Sequence, residues 1–176
     1  MRNKSAIFRI VVWIIFLVGG WFLSLRLDET IFNGYEFPRV VRFIFFVIGF
    51  ALLRAVFIVS KNTGRTLAKY GRKGDLPRFE TNVLATEGLY SIMRHPMHLG
   101  LLFFPLAVAL ISASISFILI VAPAEMLLMI IMIFLFEERE AIAKFGDAYL
   151  EYKKRVPFFC LKYSCIKELF KNVEKD

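Results

Sequence analysis

The sequence predicts an all-α integral membrane protein with about four transmembrane helices, including a C-terminal helical hairpin, and a cytosolic interfacial helix after it. Three observations support this fold class. Of the 176 residues, 58% are hydrophobic and 16% aromatic, more than a soluble domain normally carries. The apolar residues form runs long enough to cross a bilayer, and basic residues flank those runs. The length suits a single domain, residues 1–176.

The first two predicted spans are residues 8–25 and 40–59, each close to the roughly 20 residues that a bilayer core requires. The second span is interrupted only by Arg42 and Arg54, which stand toward its two ends. No small-residue cleavage site follows the first span, so we interpret it as a membrane helix rather than as a signal peptide.

The third apolar run, residues 97–136, is about twice the length of one span. Its only charged residue is Glu125, and a small polar cluster at 112–116 lies inside it. We therefore predict two antiparallel helices, 97–112 and 115–136, that are joined by a tight turn.

Three prolines mark this hairpin. Pro105 and Pro123 should kink its helices, because each proline removes one helix hydrogen bond. Pro96 instead suits the first turn of a helix, where no partner is lost with its missing N–H.

The distribution of basic residues predicts which side of the membrane each connection occupies. Basic residues precede the first span and fill the connection at 60–95, whereas the other connections carry little net positive charge. By the positive-inside rule, both termini and residues 60–95 should be cytoplasmic. The residues that carry this prediction are Arg2, Lys4, Arg9, Lys61, Arg65, Lys69, Arg72, Lys73, Arg78 and Arg94.

The C-terminal part, from Glu137 onward, mixes charges and resembles an amphipathic helix or two at the cytosolic interface. We expect Tyr149, Tyr152 and Phe158 to anchor it there. Cys160 and Cys165 lack histidines at metal-ligand spacing, so we expect free thiols in a reducing compartment.

The net charge of +8 arises largely beside the hydrophobic spans. It therefore indicates membrane topology and anionic lipid contacts, not a nucleic-acid surface. The chain has no phosphate-binding glycine loop. The expected partners are the lipid bilayer and a lipophilic substrate, and the sequence does not specify an oligomeric state.

The stretch "GLYSIMRHPMHLG" (88–100) places Arg94 and both histidines, His95 and His98, directly before the long apolar run. If the two hairpin helices pair about Ala113, Glu125 lies about one helical turn deeper in the membrane than His98. A carboxylate within a membrane span is a functional hypothesis by default. The alternative for Glu125 is a structural one, in which it pairs with His98 or a serine and holds the two hairpin helices together. The alternative for Arg94 and His95 is that they only cap the helix and extend their polar ends to the membrane interface.

This stretch, followed after the hairpin by "EE" at 137–138 and "FGDAYLEYKKRVP", resembles the isoprenylcysteine carboxyl methyltransferase family, broadly shared with phospholipid N-methyltransferases. The resemblance covers residues 82–157. It implies a membrane methyltransferase that uses S-adenosylmethionine.

The resemblance also implies which residues bind the cofactor. Glu137 falls on the family's cofactor-binding glutamate, and its charge suits the ammonium and sulfonium of S-adenosylmethionine. His95 could donate to the cofactor carboxylate, which the N-terminus of the helix at Pro96 would also favour. The complete implied set is the backbone of Val83, Leu84 and Ala85, with Tyr90, His95, Pro96, Met97 and Glu137.

Two positions depart from the family pattern. His98 replaces the motif tyrosine, and Ile133 stands where the prenylcysteine enzymes carry an arginine that holds the substrate carboxylate. A lipid-like acceptor is therefore expected over a prenylcysteine carboxylate. If the acceptor is an amine, His98 or Glu125 could serve as the catalytic base.

Two other functions fit the same features. A sterol-reductase-like membrane enzyme would share the Arg-His-Pro motif but use NADPH, and a non-enzymatic membrane protein could retain the fold. Binding of S-adenosylhomocysteine, of NADPH, or of neither separates the three.

Overall fold

A computed structural model describes residues 3–75 and 81–171, with side chains from residue 11 onward. These residues form helices and helical turns without any strand, which confirms the predicted all-α fold. Arg2 and Arg78, and the side chains of Lys4 and Arg9, belong to the sidedness prediction but lie outside what is described.

The helices are α1 (Asn3–Thr30), α2 (Arg39–Tyr70), α3 (Pro96–Leu102), α4 (Phe104–Ser112), α5 (Phe117–Phe145), α6 (Asp147–Arg155) and α7 (Tyr163–Leu169). A 3₁₀ turn covers Gly88–Ser91. Within α5, Phe117–Val121 and Ile133–Glu137 are π-helical turns.

Three stretches are long and apolar enough to cross a membrane: Val11–Thr30 of α1, the whole of α2, and α5. They contain most of the predicted spans 8–25, 40–59 and 115–136. The remaining prediction, 97–112, corresponds to a shorter apolar segment, Pro96–Ser112, which is divided between α3 and α4. The chain is therefore an integral membrane protein.

The prolines act close to where the sequence predicts. Pro96 is the first residue of α3, as expected for a residue without a backbone N–H. At Pro105 the helix is interrupted instead of kinked. α3 ends at Leu102, and α4 begins at Phe104 with Pro105 in its first turn. Pro123 follows the π-helical turn Phe117–Val121, and this widened turn accommodates the missing hydrogen bond.

The chain forms two compact units, each built from two separate stretches. The first unit comprises Met1–Val56 and Leu102–Ile131. Its core consists of Ala109, Phe117, Val121 and Ala122, against which residues of α1 and α4 pack. The predicted hairpin turn is confirmed, since α4 ends at Ser112 and Ala113 adopts a left-handed conformation. Asp28 of α1 accepts the Ser116 N–H at 2.8 Å and so caps the start of the second hairpin helix.

The second unit comprises Phe57–Leu101 and Met132–Asp176. It contains the C-terminal parts of α2 and α5 together with α3, α6 and α7. A close approach of α2 and α3 requires Gly100, because a Cβ there would lie 2.7 Å from Val59 Cγ1. Asn62 of α2 donates to the Leu169 carbonyl at 2.9 Å, which holds α7 against α2.

The prediction of free thiols is wrong, because Cys160 and Cys165 form a disulfide with their Cα atoms 5.9 Å apart. Sequence spacing alone did not reveal the pairing. It depends on the start of α7 turning the chain back, which brings the two Cα atoms within bridging distance.

Candidate active site

A buried polar cluster is centred on Glu138, in the C-terminal part of α5 and in the second unit. Glu138 is 2% exposed, and its Oε1 atom accepts hydrogen bonds from Arg94 Nη2 at 2.7 Å and Nε at 2.9 Å. The other carboxylate oxygen, Oε2, accepts a hydrogen bond from Lys153 Nζ. Arg94, His95, Glu138, Tyr149 and Lys153 are called the Glu138 cluster below. Two cations thus compensate the buried carboxylate, as a charge out of water requires.

His95 joins this cluster through Nε2, which lies 3.2 Å from Glu138 Oε1. Burial, followed by the charge of nearby His98, lowers the pKa of His95 to about 4, although Glu138 opposes the shift. His95 is therefore neutral near pH 7. We assign the proton to Nε2, where it faces the carboxylate, and this leaves Nδ1 as an acceptor.

The backbone joins the two sequence motifs directly. The Arg94 N–H donates to the Pro157 carbonyl at 2.9 Å, and the His95 N–H donates to the Phe158 carbonyl at 3.4 Å. The Phe158 ring lies against His95, with 4.7 Å between ring centroids. The Arg-His-Pro stretch and the Val-Pro stretch therefore form one local structure, although about sixty residues separate them.

Two tyrosines of α6 face inward. Tyr149 Oη donates to Glu138 Oε1 at 3.4 Å, and Tyr152 Oη donates to the Tyr90 carbonyl at 2.5 Å. Burial, with a smaller contribution from the Glu138 charge, raises the pKa of Tyr149 to about 12. Both tyrosines are buried, so their predicted role as interfacial anchors is wrong. Phe158 is half-buried, and its ring stacks on that of the exposed Phe134 with 4.4 Å between the ring centroids.

Glu137 and His98 lie beside this cluster but remain partly open. Their side chains are 33% and 27% exposed, and His98 Nε2 is 3.9 Å from Glu137 Oε1. Burial raises the pKa of Tyr90, and the negative charge of Glu137 adds to this shift. The π-helical turn Ile133–Glu137 directly precedes Glu138, and such turns occur frequently at functional sites.

The other residues of the predicted cofactor site belong to the same unit. Pro96 is buried, and Met97 is half-buried, with its Cε atom 3.8 Å from the position a Cβ on Gly64 would take. Leu84 is half-buried and Ala85 is buried. The Val83 N–H donates to the Gly71 carbonyl at 3.2 Å, so this backbone donor is already used within the fold.

Glu125, the second predicted base, belongs to the first unit. It is buried, and its Oε1 atom has no hydrogen-bond partner among the described residues. Its neighbours include Gly20 and Val121, and a Cβ on Gly20 would lie 2.3 Å from this oxygen. Glu125 therefore packs against α1.

Sequence reasoning did not assign Glu138, Tyr149 or Lys153 to the site. A usable signal was present, because an arginine directly before an apolar helix requires an acidic partner when it is buried. The spacing of Tyr149 and Tyr152, one helical turn apart, also places both on one face of α6. What the sequence did not show is which of the adjacent glutamates faces Arg94.

Comparison with known proteins places the chain in a family. No curated protein and no solved structure matches it significantly. The family model described as phospholipid methyltransferase matches residues 37–148, which is more than half of the chain. That range includes α2, the Arg-His-Pro stretch, α5 and the start of α6. The chain therefore belongs to the phospholipid methyltransferase family, a family of membrane methyltransferases for lipid-like substrates.

Proposed function

We propose that this protein is an S-adenosylmethionine-dependent methyltransferase whose acceptor is a lipophilic molecule in the bilayer. Family membership and the membrane-spanning helices support the proposal. The observation that carries it is the Glu138 cluster, which joins both sequence motifs beside Tyr90, His98 and Glu137. The expectation of cytoplasmic termini and a cytoplasmic cofactor site is part of the proposal, since the cofactor is water-soluble.

The residues present fit the cofactor chemically. When bound, S-adenosylmethionine supplies an electrophilic methyl group on a sulfonium, and it also carries an ammonium group and a carboxylate. Glu137 suits the cationic groups, because it is a carboxylate in a partly dry place. Tyr90, Pro96 and Met97 would contribute walls, and Val83, Leu84 and Ala85 would contribute backbone groups.

His95 has a modified role in this proposal. Its Nε2 atom is engaged by Glu138, so we propose that His95 lines the cofactor site and positions the neighbouring His98, instead of donating to the cofactor carboxylate through Nε2. The rings of His95 and His98 are in contact, with centroids 5.7 Å apart. The Glu138 cluster holds the start of α3 in place and excludes water from one side of the site.

The acceptor is proposed to have a neutral or weakly charged nucleophile. Ile133 is buried and offers no positive charge that could hold a carboxylate. An amine attacks only in its unprotonated form, so the proton of its ammonium form must first pass to a base. His98, which is partly exposed and lies 3.9 Å from Glu137, is the proposed acceptor of this proton. Glu125 is proposed as a second candidate for this role.

The test is ligand binding by the purified protein. Glu137→Ala should weaken S-adenosylhomocysteine binding at least tenfold, about 1.4 kcal/mol, because the cation loses its carboxylate. The matched control is Glu140→Ala, which removes the same charge from an exposed position on α5 and should leave affinity unchanged. Wild-type affinity in Glu137→Ala would contradict the proposed site. Binding of NADPH instead would support a reductase, and binding of neither ligand a non-enzymatic protein.

A further inference from the structure

A loop closed by the Cys160–Cys165 disulfide presents apolar side chains outward from the second unit. The residues between the two cysteines are all exposed, with Leu161 at 72% and Tyr163 at 83%. We call Cys160–Cys165 the disulfide loop. Large apolar groups at such exposure are costly in water, and they mark a contact surface when they occur together.

The base of this loop is held firmly on the second unit. Cys165 and Leu169 are buried, and the Leu169 carbonyl accepts the Asn62 hydrogen bond. Before the loop, the Phe158 ring packs against the rings of His95 and Phe134, with centroid distances of 4.7 Å and 4.4 Å. The exposed tip is therefore fixed in direction by packing on both sides.

The charges around the loop are mostly positive. Lys154 and Lys171 form ion pairs with Glu151 and Glu168, but among the described residues no ion pair involves Lys162 or Lys167. Lys162 stands at the tip of the loop, between Leu161 and Tyr163. Lysines beside an exposed leucine and tyrosine match the bilayer interface, where anionic headgroups lie above an apolar layer.

We propose that the disulfide loop docks into the bilayer interface, with Leu161 and Tyr163 inserted and Lys162 and Lys167 in contact with anionic headgroups. This surface replaces the buried Tyr149 and Tyr152 as the interfacial anchor of the C-terminal part. Docking of the loop would also restrain the adjacent Phe158, whose carbonyl accepts the His95 N–H. The membrane contact would thereby help to keep His95 in position. The inference rests on the membrane assignment and not on the proposed reaction.

The experiment uses tryptophan fluorescence in vesicles. Tyr163→Trp is introduced after Trp13→Phe and Trp21→Phe, and the protein is reconstituted in phosphatidylcholine with or without phosphatidylglycerol. Brominated phosphatidylcholine should quench the new tryptophan and its emission should be blue-shifted, more strongly with phosphatidylglycerol present. Solvent-like emission that brominated lipid does not quench, in a variant with wild-type helix content, would overturn the proposal.

A charge variant tests the role of the lysines. In the same background, Lys162→Gln should lower the ratio of docked to undocked loop roughly fivefold in vesicles that contain phosphatidylglycerol. The control is Lys154→Gln, which removes an exposed charge outside the loop and should leave quenching unchanged. Equal quenching in Lys162→Gln and Lys154→Gln would refute the contact between Lys162 and anionic headgroups.

Discussion

The adjacent residues Glu137 and Glu138 have different surroundings, because successive side chains on a helix point about 100° apart. Glu138 is directed inward, where Arg94 and Lys153 compensate its charge. Glu137 remains one-third exposed next to His98. A buried carboxylate whose charge two cations compensate serves structure, whereas a partly exposed carboxylate is accessible to a cationic ligand. This difference in exposure supports the proposed cofactor role of Glu137, which the family resemblance implies.

The proposed proton acceptor is tested by His98→Phe. Phenylalanine keeps an aromatic ring on α3 but cannot accept a proton, so methyl transfer to an amine acceptor should be lost. Affinity for S-adenosylhomocysteine should stay within about threefold of wild type, less than about 0.7 kcal/mol. Turnover and binding are measured on the same preparation. Undiminished turnover in His98→Phe would contradict the proposal that His98 accepts the proton. Glu125 would then be the remaining candidate, and Glu125→Gln would test it in the same way.

His95 makes a pH-dependent contribution to stability. The unfolded chain protonates His95 below its ordinary pKa of 6.5, but the folded protein does so only near pH 4. Stability should therefore fall as the pH is lowered from 6.5 to 4, by at most about 1.4 kcal/mol per pH unit. The groups facing His95 are Glu138, Arg94 and His98. Thermal unfolding in detergent should show a shallower pH slope for His95→Gln than for wild type, and identical slopes would contradict this account.

Among the elements of the second unit, the Glu138 cluster connects the segment that leads into α3, the C-terminal part of α5, and α6. Arg94 Nη1 also donates to the Val156 carbonyl at 2.7 Å, so the segment after α6 is included. These elements are short or end within the second unit, and short isolated helices are marginal in water. Their arrangement therefore depends on the cluster more than on helix propensity.

Removal of the central carboxylate tests this dependence. Glu138→Ala leaves Arg94 buried without its partner, which should cost roughly 3–5 kcal/mol of stability. The matched control is Glu151→Ala on α6, whose exposed ion pair with Lys154 should contribute less than about 1 kcal/mol. Unfolding in detergent measures both variants. A loss no greater than that of the control would show that the cluster does not hold the elements together.

At the scale of the whole molecule, two observations bear on sidedness and point in opposite directions. The basic residues between α2 and α3 favour the cytoplasm for that connection. The Cys160–Cys165 disulfide is more typical of an oxidising compartment. Both features belong to the second unit, so one topology measurement decides between them.

We expect the positive-inside rule to hold. In a background with Cys160→Ser and Cys165→Ser, a reporter cysteine at Asn33 or Ser114 should be labelled from outside intact cells. A reporter at Lys73 or Lys171 should be labelled only after the membrane is opened. The reverse pattern would place the proposed site away from the cytosolic cofactor and contradict the proposed function.

The sequence was sufficient to predict the helical membrane fold, the approximate positions of three long helices, the start of α3 at Pro96 and the turn after Ser112. These features depend on apolar length, on proline and on local turn geometry, all of which neighbouring residues specify. The motif spacing was likewise sufficient to indicate the methyltransferase family.

Three features became visible only in the folded chain: which glutamate is buried, the inward direction of Tyr149 and Tyr152, and the pairing of Cys160 with Cys165. Amphipathic patterns place tyrosines on a helix face but do not distinguish a protein interior from a membrane surface. The burial of Glu138 depends on Arg94 and Lys153, and that of Tyr152 on the Tyr90 carbonyl. Most of these contacts join residues far apart in the chain, so local sequence rules could not specify them.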